Sequence, residues 1–544
     1  MQGPNLKIGQ ILPISRRIAT PADPLALFEA LTDSGNRSDT VLLESADSAR
    51  GVALRSILVT RCAVRATCTG SRVGLEALTA NGRSALEHVE PRLAQLGSVS
   101  RDDETLVFEP ADANLADGSA GLGERQRLRA PSCLDALRAM VFGFDLVANP
   151  GPLSMVCPGI FAYDLIEHFE PLPDVPRGAD DFPDFVFWLP EEMVVIDHAA
   201  ATTTVLRHVY GGSESRGCYH DAVDAIDRLT DSVAAATSRT ATSDATSPPV
   251  ATSDDAPHAR VDVSDADFAD AVDKLKEHIF AGDVFQAVTS RTFEAPCEDS
   301  LSAYRRLRAE NPSPYMFYVR RDEDVVFGAS PETCVKVDSP EKGSAPKHVE
   351  IRPIAGTRPR GFGPDGVDPD LDARMEADLR LDTKELAEHM MLVDLARNDV
   401  ARVSRTGTRQ VTRLLGVDRY SHVMHLVSHV RGELAADLDA LHAYAGSMNM
   451  GTLVGAPKVR AAQLVRDSEG NRRGIYGGAV GYLTPDGDMD TAIIIRSAHV
   501  RDGVARVRAG AGVVADSDPV AETDETRRKA RAVLRALQNN QEIR

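Results

Sequence analysis

The sequence predicts an α+β fold in which large antiparallel β-sheets pack with helices. Segments with helical apolar spacing alternate with β-rich runs, but without the regular strand–helix–strand rhythm of a parallel sheet. No G-x-G-x-x-G follows a β-rich run, which argues against a Rossmann domain. With 544 residues and no internal repeat, the chain has room for about two to four domains, each with its own core.

Residues 1–233 form a first region. Within it, the polar, Gly- and Asp-rich stretch from Ser98 to Pro131 reads as an irregular insertion. Residues 234–260 read as a flexible linker or loop. From Ala234 to His258 there is no Leu, Ile, Met, Lys or aromatic residue, so little apolar area is available to offset the entropy of ordering. Residues 261–544 form the second region. It starts with a capping-box-like Ser264 and Asp267, then Phe268, Val272, Leu275 and Ile279 at helical spacing, and a stop at Gly282. Strands are expected at Val284–Arg291, Asp324–Gly328, Thr491–Val500 and Val504–Val514, and a long helix over Lys384–Asp399.

Composition excludes whole classes of function. The 61 basic and 81 acidic residues give a net charge of −20, which opposes both a phosphate-neutralising nucleic-acid surface and docking on anionic lipid. Only nine of the basic residues are lysine. This acidic, Lys-poor balance resembles that of proteins from salt-loaded cytoplasm, a halophile-like trait that concerns habitat rather than function. The seven cysteines are scattered, with no C-x-x-C, and Cys62 and Cys68 have no accompanying His cluster. All seven read as buried structural thiols in a reducing cytoplasm. Met1–Arg17 lacks the apolar stretch of a signal peptide, and runs such as Ala492–Ile495 are too short to span a bilayer, so a soluble cytoplasmic protein is expected.

Chemistry-bearing residues concentrate in the second region. Glu385 and Glu388 share one helical face, while Met391, Leu392 and Leu395 form an apolar stripe. Glu522, Glu525 and Lys529 recur at i, i+3 and i+7 on a second acidic helix. Each face alone fits ordinary solvation. Two carboxylates from different helices, converging with water and a substrate carboxylate, would make a Mg²⁺ site, because that ion keeps few protein ligands. H-E-x-x-H zinc spacing is absent, since Glu388-His389 lacks the second His. Glycines in Arg352–Gly361, Gly451–Lys458 and Gly510–Gly512 permit close backbone approach to a ligand, or simply turns. Arg496, in the β-branched run AIIIRSA, needs a partner, either a substrate carboxylate or a structural ion pair. His425, in VMHLV, reads as a satisfied core histidine as readily as a functional one.

From about Val263 to Leu537 the chain carries, in order, GDVFQAVTSR, RPIAGTRPRG, ELAEHMMLVDLARND, VDRYSHVMHLVS, MNMGTLVGAPK, IYGGAVGY, IIIRSA, AGAGVV and DETRRKA. With this set it resembles the chorismate-binding enzyme family. The first region resembles the same family more loosely, through LLES at Leu42–Ser45 and GIFAYDL at Gly159–Leu165. The resemblance implies that family's fold and an anthranilate-forming lyase, which turns chorismate and ammonia into anthranilate and pyruvate through aminodeoxyisochorismate at the start of tryptophan biosynthesis. Water-adding relatives carry Lys in the strand that here reads VFQAVTSR, where Gln286 cannot act as a base. Aminodeoxychorismate-forming relatives carry Lys in the PIAGT segment, where Ala355 offers no nucleophile. Ammonia remains as the attacking species. A non-catalytic tryptophan sensor or scaffold is the contrasting class, and the presence of both metal glutamates, His425 and Arg496 speaks against it.

The same resemblance implies Mg²⁺ held by Glu388 and Glu525 against the ring carboxylate of chorismate. It implies substrate contacts from Gly356, Thr357, Tyr476, Arg496 and the backbone of Gly510, Ala511 and Gly512. Catalytic roles fall to Glu385 as acid or base, His425 in proton transfer, and Thr452. No Cys/His/Glu glutaminase arrangement occurs, so ammonia is expected from a separate glutamine amidotransferase subunit. NPSPYMFY at Asn311–Tyr318 and LLES match the family's tryptophan-binding segments. Ser45, Pro314, Tyr315 and Met316 are therefore expected to hold tryptophan as a feedback inhibitor, with Glu44 addressing its polar groups.

Overall fold

The computed structural model describes residues 5–47, 52–111, 123–151, 153–178, 181–240, 259–339, 346–363, 366–420 and 423–538. Almost all its strands join one hydrogen-bonded network, folded into two layers. The first layer runs Gln10–Ile18, Thr202–Tyr210, Phe185–Asp197, Val52–Thr69, Thr40–Asp47, Tyr315–Arg321, Asp324–Ser330, Ser497–Arg501, Val504–Val513 and Gln286–Pro296, each antiparallel to the next. The second runs Cys157–Phe161, Ala479–Leu483, Met489–Ile493, Thr333–Asp338, His348–Ile351 and Val423–Glu433, again antiparallel. The long strand Phe185–Asp197 serves both layers, since its first half also pairs with Cys157–Phe161. Its pairing with Val52–Thr69 shifts register between Val59 and Val64.

Apolar side chains from both layers meet between them: Val41, Ile57, Phe317 and Val326 from one, Ile160, Val480 and Ala492 from the other, with Trp188 fully buried. Helices cover the outer faces. Leu301, Ile226, Leu229, Val533 and Leu534 pack on the first layer, and Leu86, Leu137, Leu441 and Val465 belong to a second cluster that takes in strands of both layers, among them Val64 of the first and Val335 and Val349 of the second. The α+β architecture of antiparallel sheets and helices is the one the sequence predicts. The two halves of the chain interlock within it, because Thr40–Asp47 pairs with Tyr315–Arg321 and Cys157–Phe161 with Ala479–Leu483. Among the described residues, no helix is long and apolar enough to cross a membrane.

Several local expectations change. Ala234–Thr240, read as the start of the linker, are the last turns of a helix over Ser215–Thr240. Val233 and Ala236 continue its buried face, which outweighs the polar composition. At the other end of the same stretch, Arg260 opens a short strand with Val261 that pairs with Phe293–Glu294; residues 241–258 lie outside the described set. Most of Ser98–Pro110, read as irregular, is a hairpin of Gly97–Arg101 and Thr105–Pro110 whose Leu106 and Phe108 are buried. Glu124–Arg129 is a short helix, and residues 112–122 lie outside the described set. Thr491–Val500 is not one strand, because the chain turns between Ile493 and Ser497 with Arg496 at φ +51°. Six of the seven free cysteines are buried and Cys218 partly so, yet Cys68 does have companions, Cys133 and His168.

Two chain crossings between the layers decide where function can sit. Residues 331–332 carry the chain from Asp324–Ser330 to Thr333–Asp338, and residues 494–496 carry it from Met489–Ile493 to Ser497–Arg501. The crossings lie side by side: the Ala329 N–H donates to the Arg496 carbonyl at 3.1 Å, and the Ile493 N–H to the Glu332 carbonyl at 3.0 Å.

Candidate active site

Two acidic helices converge on the strand Val504–Val513. The helix Thr383–Val403 starts at Asp382, whose side chain accepts from the N–H groups of Lys384 and Glu385. The helix Pro519–Leu537 starts at Asp518, which caps Ala521 N–H. Between them lies Gly510–Gly512, paired with Ser290, Thr289 and Val288. Glycine is required there by close approach. A Cβ on Gly512 would lie 2.8 Å from Gln286 Nε2, and one on Gly510 would lie 2.9 Å from the Tyr476 hydroxyl. Gln286 Nε2 donates to Glu388 Oε1 at 2.9 Å. Lys529 Nζ donates to the Gly510 carbonyl at 3.0 Å and pairs with Glu525 Oε1 at 2.9 Å. Beneath this strand, Glu469 fixes the arrangement by accepting from the Ser290 N–H and hydroxyl while pairing with Arg473 and Arg508.

Burial prevails at three of the four carboxylates, and only Glu525 has enough positive charge beside it to overcome that. Burial and the like charge of Glu385 push Glu388 up, with the Gln286 hydrogen bond opposing. Burial raises Glu385 against the opposing Arg358 guanidinium at 3.4 Å, and burial with Glu525 raises Glu522. Burial acts upward on Glu525 as well, but Lys529 and Arg528 hold it below its ordinary value. The acceptor Gln286 Oε1 is buried without a partner. Hard oxygen donors from two helices, the raised Glu388 carboxyl among them, and an orphaned amide oxygen beside it fit a small divalent cation that keeps several waters.

The crossings supply the opposite wall. Arg496 makes no side-chain hydrogen bond or ion pair among the described residues. Its guanidinium acts electrostatically on Tyr476, Glu525, Glu332 and His425. The sequence left open a structural ion pair as its partner, and the structure provides none there. Burial lowers the Arg496 pKa against the opposing charges of Tyr476, Glu525 and Glu332, so an arriving carboxylate would find an underused cation.

Glu332, which no sequence signal singled out, lies in the neighbouring crossing with 7% of its surface exposed. Burial pushes its carboxyl up to about 8, against the Thr452 hydrogen bond and the charges of Arg496 and Lys529. Thr452 Oγ1 donates to Glu332 Oε1 at 3.0 Å. A lone Glu between two β-rich runs, in SPET, was the only available hint.

His425 sits on Val423–Glu433 opposite Thr357. Its Nδ1 lies 3.1 Å from the Gly356 carbonyl and 3.0 Å from Thr357 Oγ1. A carbonyl only accepts, so Nδ1 carries the proton and Nε2 is left as the acceptor. Burial lowers His425 to about 4, leaving it neutral at physiological pH. Gly356, at φ +75°, is where a Cβ would meet Leu379 at 3.0 Å and Glu385 Oε2 at 3.2 Å. The structure thus places the sequence-predicted residues in four groups: Glu388 beside Gly512, Glu525 tied to Gly510 through Lys529 with Tyr476 beside that glycine, Arg496 acting electrostatically on Glu332 with Thr452 bonded to the latter, and His425 with Thr357, Gly356 and Glu385. Ala511 is fully buried between its glycine neighbours.

The two expected regulatory segments are adjacent strands, with Ser45 opposite Tyr315 and Glu44 opposite Met316. Pro314 immediately precedes the second strand. Strand alternation splits the four residues between two faces. Ser45 donates to the Arg55 carbonyl at 3.2 Å, and the Tyr315 hydroxyl reaches Thr333 Oγ1 and Asp490 Oδ1, each at 3.0 Å. Met316 packs on the other side with Tyr304. Glu44 is there too, held by the Tyr304 hydroxyl and Arg308 Nε, both at 2.8 Å, so its carboxylate already has a cationic partner.

A family model described as chorismate binding enzyme matches residues 114–535. Over 536 residues the chain is 46% identical to anthranilate synthase component 1 of Vibrio parahaemolyticus, covering 98% of this chain and 94% of that relative. Over 519 residues it is 48% identical to the Vibrio cholerae protein of the same name, covering 95% and 94%. Among solved structures it resembles anthranilate synthase component I from Streptococcus pneumoniae, with a TM-score of 0.63 and 25% identity over 89% of this chain and 92% of that one. The menaquinone-specific isochorismate synthase of Escherichia coli shares the fold, with a TM-score of 0.62 and 18% identity over 98% and 95% of the two chains. The chain belongs to the chorismate binding enzyme family, in the company of the relatives named anthranilate synthase component 1.

Proposed function

We propose that the chain is a lyase of tryptophan biosynthesis that converts chorismate and ammonia to anthranilate and pyruvate. The observation that carries this is the Arg496 guanidinium, without a protein partner among the described residues and set beside a protonated Glu332: an anchor for a carboxylate next to a proton donor. The names of the relatives supply anthranilate as the product, and the family description supplies chorismate as the ligand. Gln286 and Ala355 support ammonia as the nucleophile, since neither can activate water or attack the ring.

Mg²⁺, held by Glu388 and Glu525, would neutralise and orient the ring carboxylate when bound. Arg496 and the Tyr476 hydroxyl bind the other end of the dianion. Ammonia adds at C2 as the C4 hydroxyl departs, and Glu332, still protonated at neutral pH, donates to the leaving group. The resulting aminodeoxyisochorismate then loses its enolpyruvyl group as pyruvate and becomes aromatic. His425 takes part as a neutral imidazole whose Nε2 accepts a proton, not as a cationic acid. Glu385, raised by burial and steadied by Arg358, is the second acid–base group. Ammonia comes from a glutamine amidotransferase subunit, and tryptophan bound near Ser45, Pro314, Tyr315 and Met316 inhibits.

The test mixes the purified chain with chorismate, Mg²⁺ and ammonium at raised pH and follows anthranilate fluorescence, with and without tryptophan. Fluorescent product from ammonium but not from glutamine is expected. A non-fluorescent aminated product would point instead to aminodeoxychorismate formation, and robust use of glutamine by the chain alone would refute the division of labour.

A further inference from the structure

We propose that Cys68, Cys133 and His168 form a structural site for one divalent ion of the zinc class, apart from the carboxylates of the active site. The two Sγ atoms and one His168 ring nitrogen lie within 4.8 Å of one another. In a tetrahedral site with zinc–sulfur bonds of about 2.3 Å and zinc–nitrogen bonds of about 2.0 Å, ligand atoms stand about 3.5–3.8 Å apart, so closing the site needs each separation to shrink by at most about 1.3 Å.

The ligands come from three separate pieces of chain. Cys68 is at the end of the strand Val52–Thr69, Cys133 is the residue before the helix Leu134–Val141, and His168 ends the 3-10 turn Tyr163–His168. Both cysteines are buried, and His168 keeps 14% of its side chain exposed, which leaves a route in.

The surroundings are those of a built site. Asp184 Oδ2 lies 3.2 Å from His168 Nε2, and Asp184 is itself held by the Gly70 N–H at 2.8 Å and Arg472 Nη2 at 2.6 Å. A carboxylate on one imidazole nitrogen fixes the ring and makes the other nitrogen a better ligand. The Cys68 and Cys133 thiols are hydrogen-bonded to one another, which holds the two sulfurs side by side. Three protein ligands leave the fourth position to water. Because Arg472 belongs to the second half of the chain and the ligands to the first, the ion would brace the joint between the halves.

The experiment uses the full chain, reduced, stripped with a chelator and titrated with Co²⁺ in excess Mg²⁺, which occupies carboxylate sites. One equivalent should bind with a near-ultraviolet thiolate-to-cobalt charge-transfer band and tetrahedral visible bands, and Zn²⁺ should displace it. The band should be lost in Cys133→Ser. Asp184→Asn should weaken Zn²⁺ affinity, measured against a chromophoric chelator, by about 10–100-fold. No charge-transfer band at one equivalent in the wild-type chain would overturn the proposal, whatever the fate of the variants. So would a band undiminished in folded Cys133→Ser, or a Cys68–Cys133 disulfide in the isolated chain that, once reduced, takes up no metal.

Discussion

Glu332→Gln separates the proton at the crossing from everything else there. The variant keeps the size of the side chain and an oxygen for Thr452 Oγ1, but it cannot ionise. Burial lifts the native carboxyl from its ordinary value of 4.5 to about 8. An acid raised in this way stabilises the native state fully below pH 4.5, and that contribution is lost as the pH climbs through 8. The difference of 3.5 pH units corresponds to about 5 kcal/mol, an order-of-magnitude figure for a carboxyl that must shed its proton in a dry site. Denaturant midpoints of wild type and variant, measured from pH 5 to pH 9, should diverge up to about pH 8 and then hold that gap, with the wild type losing ground to the variant. Turnover of chorismate by the variant should fall by about 10²–10⁴-fold, the usual weight of a general acid. Parallel stability curves would show that Glu332 does not titrate in this range, and undiminished turnover would remove it from the chemistry.

Glu388→Gln should abolish Mg²⁺-dependent turnover while leaving circular dichroism and thermal unfolding near wild type; near-normal activity would sink the metal assignment. Arg496→Gln should lower kcat/KM for chorismate by about 10–150-fold, the loss of one charge-assisted hydrogen bond, chiefly through KM; an unchanged KM would mean the guanidinium does not meet substrate. Ser45→Arg should remain folded and active with ammonium yet resist tryptophan, because the new side chain fills the space beside Tyr315; full inhibition of a folded variant would place the effector elsewhere.

The parts legible in sequence were those whose signal is local. The helix Thr383–Val403 shows in its apolar stripe, and the start of Asp265–Phe280 shows in Ser264, whose Oγ does accept from the Asp267 N–H. The glycines of Gly510–Gly512 stand out because no other residue fits there. The missed features are non-local. Arg496 occupies a left-handed corner that the β-branched run around it disguises, since nothing in IIIRSA announces a turn. Glu332 gains its raised pKa from what closes over it, which a single residue in a short loop cannot advertise. The helix ending at Thr240 persists through polar residues because Val233 and Ala236 have a partner surface. Cys68 and Cys133 are 65 positions apart in sequence, and only the fold makes them neighbours.

The paired crossings carry a mechanical consequence. Two backbone hydrogen bonds lash the Glu332 corner to the Arg496 corner, so acid and cation turn as a unit when one sheet tilts on the other. Their mutual spacing is preserved, whereas their distances to His425 and to the two acidic helices are what such a tilt alters. Tyr315 leans on the same pivot, because its hydroxyl meets Thr333 and Asp490, one residue from Glu332 and on the strand leading to Arg496. A molecule wedged beside Tyr315 would therefore work on the fulcrum, changing how the two halves of the site face each other without touching what lies in it.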